Sequence, residues 1–289
     1  MQLRTSERKK AKIKLALQGS AGSGKTYSSL LLAQGLTNKN LSKVAIIDTE
    51  NGSADLYAHL GEYNVLTLQP PFTPEKYVQA IEVCEKAGME VIILDSISHC
   101  WDELLDFHSK LPGNSFTNWN KVTPRQKEFV NKILQSDAHI IATMRTKQDY
   151  VLNQKNGKYI PEKVSLKAVQ RDGVDYEFTI VFDLDMKHFA VASKDRTNIF
   201  SGKPEFIINS ATGRKILEWC NSGTNLQEAR EKIKACKDIE ELRKLYTQYS
   251  NWRELLEYDF KLQKDTINSK EVLLNPKAFS TNGTTNHTA

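Results

Sequence analysis

Gly19-Ser20-Ala21-Gly22-Ser23-Gly24-Lys25-Thr26 brings together residue types that do one kind of chemistry. Its glycines permit backbone conformations in which successive N–H groups curl around phosphate oxygens. Lys25 follows at the spacing that reaches terminal phosphates, and the Thr26 hydroxyl can ligate Mg2+, which completes the phosphate-binding pattern GxxxxGK[ST]. A helix beginning near Gly24 would aim its positive dipole end at the bound anion. Gly19 to Tyr27 is therefore the expected nucleotide-binding segment, and a nucleoside triphosphate the expected ligand.

Two further acids have types and positions suited to hydrolysis. Val91-Ile92-Ile93-Leu94-Asp95 is an apolar strand ending in a carboxylate that can hold Mg2+ through water, as a Walker B strand does. Ser96 follows instead of a second acid, so a water-activating carboxylate must come from elsewhere. Asp48-Thr49-Glu50 closes the preceding apolar run. In a parallel sheet the carboxyl ends of strands face one ligand crevice, so Glu50 is expected to orient or deprotonate the attacking water.

The elements that must position these residues are legible in outline. Ile13 to Leu17 reads as a strand before the glycine loop and Tyr27 to Leu36 as a helix after it. Lys43 to Asp48, Glu90 to Asp95 and His139 to Met144 are short apolar runs of the kind buried in parallel sheets, and Asn64 to Leu68 is a briefer strand. Thr73-Pro74 starts a helix that Gly88 stops, and residues 121 to 135 read as another with Thr123-Pro124 near its start. Strands alternating with helices predict an α/β fold with a mainly parallel, helix-covered sheet. Thr179 to Leu184 and Phe189 to Ser193 read as a hairpin, Phe206 to Ile208 as a further strand and Arg214 to Cys220 as a closing helix. Beyond Gly223 the chain turns charged and helix-forming, over Leu226 to Lys234 and Ile239 to Gln263, with Trp252, Leu255 and Leu256 as core candidates. The expected organisation is an ATPase domain over 1–223, a small helical appendage over 224–278 and a disordered tail over 279–289.

At 289 residues, 26% charged and 39% hydrophobic, the chain suits a globular protein of about two domains. No apolar run approaches a membrane span, and Met1 to Lys12 has no apolar signal core. Cys84, Cys100, Cys220 and Cys236 form no CxxC pair, so reduced core thiols and a cytoplasmic location are expected. The net charge of +5 is unevenly spread. Arg145 to Arg171 holds seven basic residues against two acidic ones, and Arg4, Arg8, Lys9, Lys10, Lys12 and Lys14 precede the first strand. Both clusters are candidate polyanion contacts.

The P-loop, Ile47-Asp48-Thr49-Glu50 and Leu94-Asp95-Ser96 together resemble the RecA/DnaB class of P-loop ATPases over roughly residues 10 to 220. Within it the chain is similar to phage-encoded RecA-like ATPases grouped with single-strand annealing proteins, which implies a bacterial or phage-infected host cell. The resemblance implies ATP and Mg2+ as cofactors, Glu50 as catalytic base, Asp95 as magnesium acid, and Lys25 and Thr26 as phosphate and metal ligands. It places a γ-phosphate sensor at Thr143 or Arg145. Ser193-Lys194-Asp195-Arg196 is similar to an element with which Lys194 and Arg196 would reach a neighbouring subunit's nucleotide, implying a homo-oligomer, ring or filament.

Gln148 to Tyr176 reads as a long loop without periodicity, its lysines and arginine interleaved with Tyr150, Tyr159 and Tyr176. That composition offers phosphate neutralisation and base stacking, so sequence-tolerant binding of single-stranded DNA is expected. The leading reading is a DNA-stimulated ATPase of recombination, annealing or replication, with a protein partner from those processes. The alternatives are an ATP-switched, non-enzymatic DNA-binding or loader subunit, and a small-molecule P-loop kinase. A kinase would show clustered arginines after the P-loop, whereas Arg125 and Arg145 are far apart in sequence.

Overall fold

Alternation of apolar residues along short strands sends neighbours to opposite faces of a sheet, so strands apolar at every position must be covered on both sides. The computed structural model, which describes residues 10–155, 158–222, 226–249 and 252–274, shows that arrangement. Ala11–Asn221 forms one compact unit, and the chain from Ser222 onward, with Lys10, belongs to another.

The larger unit is a mixed α/β fold around one nine-stranded sheet. Its strands are β1 (Lys14–Gly19), β2 (Val44–Asp48), β3 (Asn64–Thr67), β4 (Val91–Asp95), β5 (His139–Lys155), β6 (Lys158–Ala168), β7 (Ile180–Leu184), β8 (Phe189–Asp195) and β9 (Phe206–Ile207). The order is β3-β2-β4-β5-β1-β7-β8-β9, with β6 paired to β5 off this path. From β3 to β7 the pairs are parallel, while β8 and β9 are antiparallel. On β4, Val91 and Ile93 join the core beneath α1 (Lys25–Leu36) and α5 (Ser210–Asn221). Ile92 and Leu94 join the opposite core, with Tyr77 and Ile81 of α2 (Pro74–Lys86) and Phe129 and Ile133 of α4 (Ser115–Gln135).

Local chemistry sets several element ends. Gly24, at φ +85°, precedes α1 in the left-handed region that glycine enters without penalty. Thr73 caps α2 by accepting from the Lys76 N–H, with Pro74 in the first turn. Helices α1 and α5 meet through glycines: a Cβ on Gly35 would stand 2.1 Å from the Ser210 carbonyl oxygen, and one on Gly213 2.2 Å from that of Leu32.

Several sequence expectations need correction. Helix α4 begins at Ser115, capped by the Asn114 side chain, and Pro124 lies inside it. Packing of Phe129 on Tyr77, with ring centroids 5.1 Å apart, holds this helix despite the backbone bond that proline forfeits. A further helix, α3 (Ser98–Lys110), follows directly on β4, where no element was expected. The segment Gln148 to Tyr176 is not a structureless loop: β5 runs on past the sheet to Lys155 and returns as β6 in an antiparallel hairpin. Lys14 is no polyanion contact, because its ammonium is buried and donates to the Ser136 and Ala138 carbonyls at 2.7 and 2.6 Å. Arg4, Arg8 and Lys9 lie outside the described residues, as does the 279–289 tail.

The smaller unit contains α6 (Leu226–Ala235), α7 (Ile239–Gln248) and α8 (Arg253–Leu274) around Ile233, Leu242, Leu256 and Phe260. The segment read as continuous from Ile239 is thus two helices, and Leu255 is 38% exposed and not part of that core. Among the described residues no helix is long and apolar enough to cross a membrane. All four cysteines are buried and none is in a disulfide.

Candidate active site

The carboxyl ends of β1, β2, β4 and β5 converge, and each delivers at least one functional group. Register sets Asp48 opposite Asp95 and Leu17 opposite Thr143. The interposed β5 brings Thr143 against the acid: its hydroxyl donates to Asp95 Oδ1 at 2.5 Å, while Thr26 donates to Asp95 Oδ2 at 2.6 Å. Burial pushes the Asp95 carboxyl above its ordinary range, and these two hydroxyls oppose that push. Lys25 Nζ lies folded on the loop, donating to the Gly19 and Ser20 carbonyls at 2.9 and 2.8 Å.

Glu50 sits at the mouth of the same cleft. Arg145 grips it with two parallel hydrogen bonds, Nε to Oε1 at 2.9 Å and Nη2 to Oε2. Burial resists ionisation of this carboxyl, but the hydrogen bonds and charge of Arg145, helped by nearby His99, hold it below the usual range. The preceding residues build the support. Asp48 Oδ1 accepts from the Glu50 N–H at 2.6 Å, which fixes the turn. The Thr49 hydroxyl accepts from the Ser96 N–H at 2.9 Å and lies 2.7 Å from His99 Nδ1.

Lys25, Thr26, Glu50, Asp95 and Arg145 all line one cavity of about 910 Å3, together with Tyr27 and Tyr57, whose ring centroids are 5.4 Å apart. Leu31, Ile207 and Ile208 add apolar lining of the kind a planar base requires. Residues of the β7–β8 turn complete the phosphate end. His188 Nδ1 lies 3.1 Å from the Ser23 carbonyl oxygen, and a Cβ on Gly24 would come within 3.0 Å of that nitrogen. Lys187 lines the cavity beside it.

The donors suit a magnesium-bound triphosphate. Thr26 and Asp95 offer hard oxygens next to an anion cradle whose glycines, Gly22 at φ +82° and Gly24 at φ +85°, hold the left-handed backbone that side chains disfavour. Among the described residues no three acidic, histidine or cysteine side chains cluster around a metal position, so nucleotide phosphates and water would have to supply most ligands.

Placement of the other expected residues is mixed. Thr143 is fully buried beneath Asp95 and does not line the cavity, whereas Arg145 does. Lys194 and Arg196 stand away from their own chain's cavity, both donating to the Tyr176 carbonyl, Arg196 at 2.9 Å. The sequence reading missed Tyr57, Lys187 and His188, and it gave no sign that Arg145 and Glu50 are partners. Nothing local marks these residues, because their roles arise from which turns the sheet brings together.

A glycine-turned anion loop between a parallel strand and a helix, facing an acid at the end of the next strand but one, defines a P-loop nucleotide-binding fold. The family model described as an AAA domain matches residues 11–211, and the chain belongs to that family. Membership suggests an ATPase and, as is general for such enzymes, ATP with Mg2+. Comparison with curated proteins gives no match.

Proposed function

We propose that the protein is a RecA-like ATPase that acts on single-stranded DNA in recombination, annealing or replication. One observation carries the reading: β5 bears Arg145 at the nucleotide cavity, then continues without a break into the hairpin of a basic segment, Arg145 to Arg171, with seven basic residues against two acidic ones. One element thus spans the hydrolytic carboxylate and a polyanion-attracting segment.

In this reading Lys25 and the glycine-loop N–H groups bind the β- and γ-phosphates, and Thr26 and Asp95 would hold a Mg2+, which would supply neutralisation of the phosphate charge. Glu50 aligns a water against the γ-phosphate. Its lowered pKa makes it a weak base, so orientation precedes proton transfer, and the proton passes to Glu50 Oε1 or Oε2 late in the step. Arg145, rather than Thr143, is the group in position to respond to the γ-phosphate, since it alone of the two lines the cavity. Lys194 and Arg196 act in trans on the nucleotide of a neighbouring copy in a ring or filament. Buried cysteines outside any disulfide support a cytoplasmic setting.

A passive ATP-switched DNA-binding or loader subunit is the alternative, favoured by the occupation of both Glu50 oxygens by Arg145. A kinase reading has less support, because Arg125 lies bidentate on Glu75 at 2.6 and 2.8 Å, outside the cavity lining. The test is ATP turnover with and without single-stranded DNA, with Lys25→Ala as the blank. Stimulation by DNA supports the proposal, and turnover indifferent to any nucleic acid overturns the DNA assignment.

A further inference from the structure

A second cavity, of about 530 Å3, opens between α3, α4 and the end of β6. Trp101 of α3 and Trp119 of α4 lie in its wall with ring centroids 6.0 Å apart and planes 20° off parallel. His108 extends the pile, 4.3 Å from Trp119. Both indoles are only partly buried, and each is held by a separate helix, so the pile forms a fixed part of the groove wall. Lys147, Lys167 and Arg171 line the same space with Asp102 and Asp172. Lys167 pairs with Asp172 at 2.8 Å, which leaves Lys147 and Arg171 as the cations set against Asp102.

The groove is wired to the hydrolytic carboxylate. Val169, in its wall, donates its N–H to the Arg145 carbonyl at 2.7 Å, and the Arg145 N–H donates to Ser98 Oγ at 2.9 Å. The buried Gln170 side chain donates to the Ile97 carbonyl at 3.2 Å, just beyond Asp95. Arg145 therefore grips Glu50 with its guanidinium and the groove wall with its carbonyl.

We propose that this groove stacks a base of single-stranded DNA on the Trp101–Trp119 platform, with Lys147 and Arg171 meeting the adjoining phosphates. The inference rests on the DNA reading above and gives it a place on the chain. Parallel indole faces accept any base, while cations at the rim recognise its backbone, a combination that an apolar peptide would leave half unused. A base seated there presses on residues bonded directly to Arg145, which offers a route by which DNA alters the hold on Glu50.

The test is fluorescence anisotropy of a labelled oligothymidylate and an abasic oligomer of equal length, on the full chain. The variants are Trp101→Ala, Trp119→Ala, Trp119→Phe and Lys147→Ala. The parent should prefer the base-bearing oligomer by about tenfold, within the roughly five- to 150-fold range of one stacked base. Trp101→Ala and Trp119→Ala should each abolish most of that preference, and Trp119→Phe should restore much of it. Lys147→Ala alters an exposed side chain. It should weaken both oligomers and lower the salt slope by about 0.7, the value of one phosphate contact on a single strand. If the parent binds DNA but the variants keep its preference and salt slope, the groove assignment is wrong and the DNA reading stands. A parent that binds no oligomer even at low salt removes both.

Discussion

Replacing Glu50 by Gln tests whether this carboxylate handles the attacking water. The substitution keeps size and shape, but turns one oxygen into an NH2 group that faces the Arg145 donors. A charge-assisted hydrogen bond contributes about 1.5–3 kcal/mol net. The Arg145 side chain is 43% exposed, so solvent screening brings the expected loss of stability nearer about 1 kcal/mol. The effect on chemistry should be far larger. A positioned general base is worth about 10²–10⁴ in rate, or roughly 3–5 kcal/mol of barrier. Phosphate-release kinetics with Mg-ATP should therefore show kcat reduced by that factor. ATP affinity, measured calorimetrically, should stay close to parental, because Lys25, Thr26 and the glycine loop are untouched. Parental turnover in the variant would remove Glu50 from the mechanism. Loss of ATP affinity in step with turnover would show that the Glu50–Arg145 clamp serves binding instead, and a parent that turns over no ATP would favour the passive switch.

Thr143→Val should leave buried Asp95 Oδ1 without its donor, costing about 1–3 kcal/mol of stability and raising the Mg2+ concentration for half-maximal turnover; an unchanged magnesium titration would separate Thr143 from the metal site. Gly213→Ala sets a methyl 2.2 Å from the Leu32 carbonyl oxygen, where only backbone can yield, so urea unfolding should show a loss of about 3 kcal/mol. A neutral result there would mean that α1 and α5 separate easily. His139 is buried and accepts from the Ile13 N–H at 3.0 Å; burial, with Lys12 and Lys14 nearby, lowers its pKa from 6.5 to about 3. The unfolded chain then binds the extra proton between those values, so this stabilisation is complete above pH 6.5 and is lost as pH falls toward 3, by up to about 1.4 kcal/mol per unit. His139→Asn keeps an acceptor and should flatten that slope, whereas parallel pH profiles for parent and variant would refute the assignment.

The sequence by itself determined the phosphate loop, the strand ending in Asp95 and the acid at Glu50. Each is a local pattern: fixed spacing, an apolar run of strand length, or a turn that only glycine can make. Parallel strands joined by crossovers then oblige their carboxyl ends to meet, so the region of the site followed from order along the chain. The reading failed where no local period carries the information. Residues 148 to 176 lack the alternation of a half-buried strand, yet β5 and β6 pair there, because backbone pairing with a neighbour can hold a polar strand. The charge of Lys14 suggested exposure, but two carbonyls from a distant turn bury it.

Tertiary structure alone decided the partnerships. Glu50 and Arg145 are 95 residues apart and Asp95 and Thr143 are 48 apart, and β5 joins both pairs by lying between β1 and β4. It likewise stacked Trp101 on Trp119 and set His188 against the glycine loop. Such contacts depend on strand order and on which turns share an edge of the sheet. Those are set by the packing of two cores, with Ile93 facing one and Leu94 the other, rather than by any window of sequence.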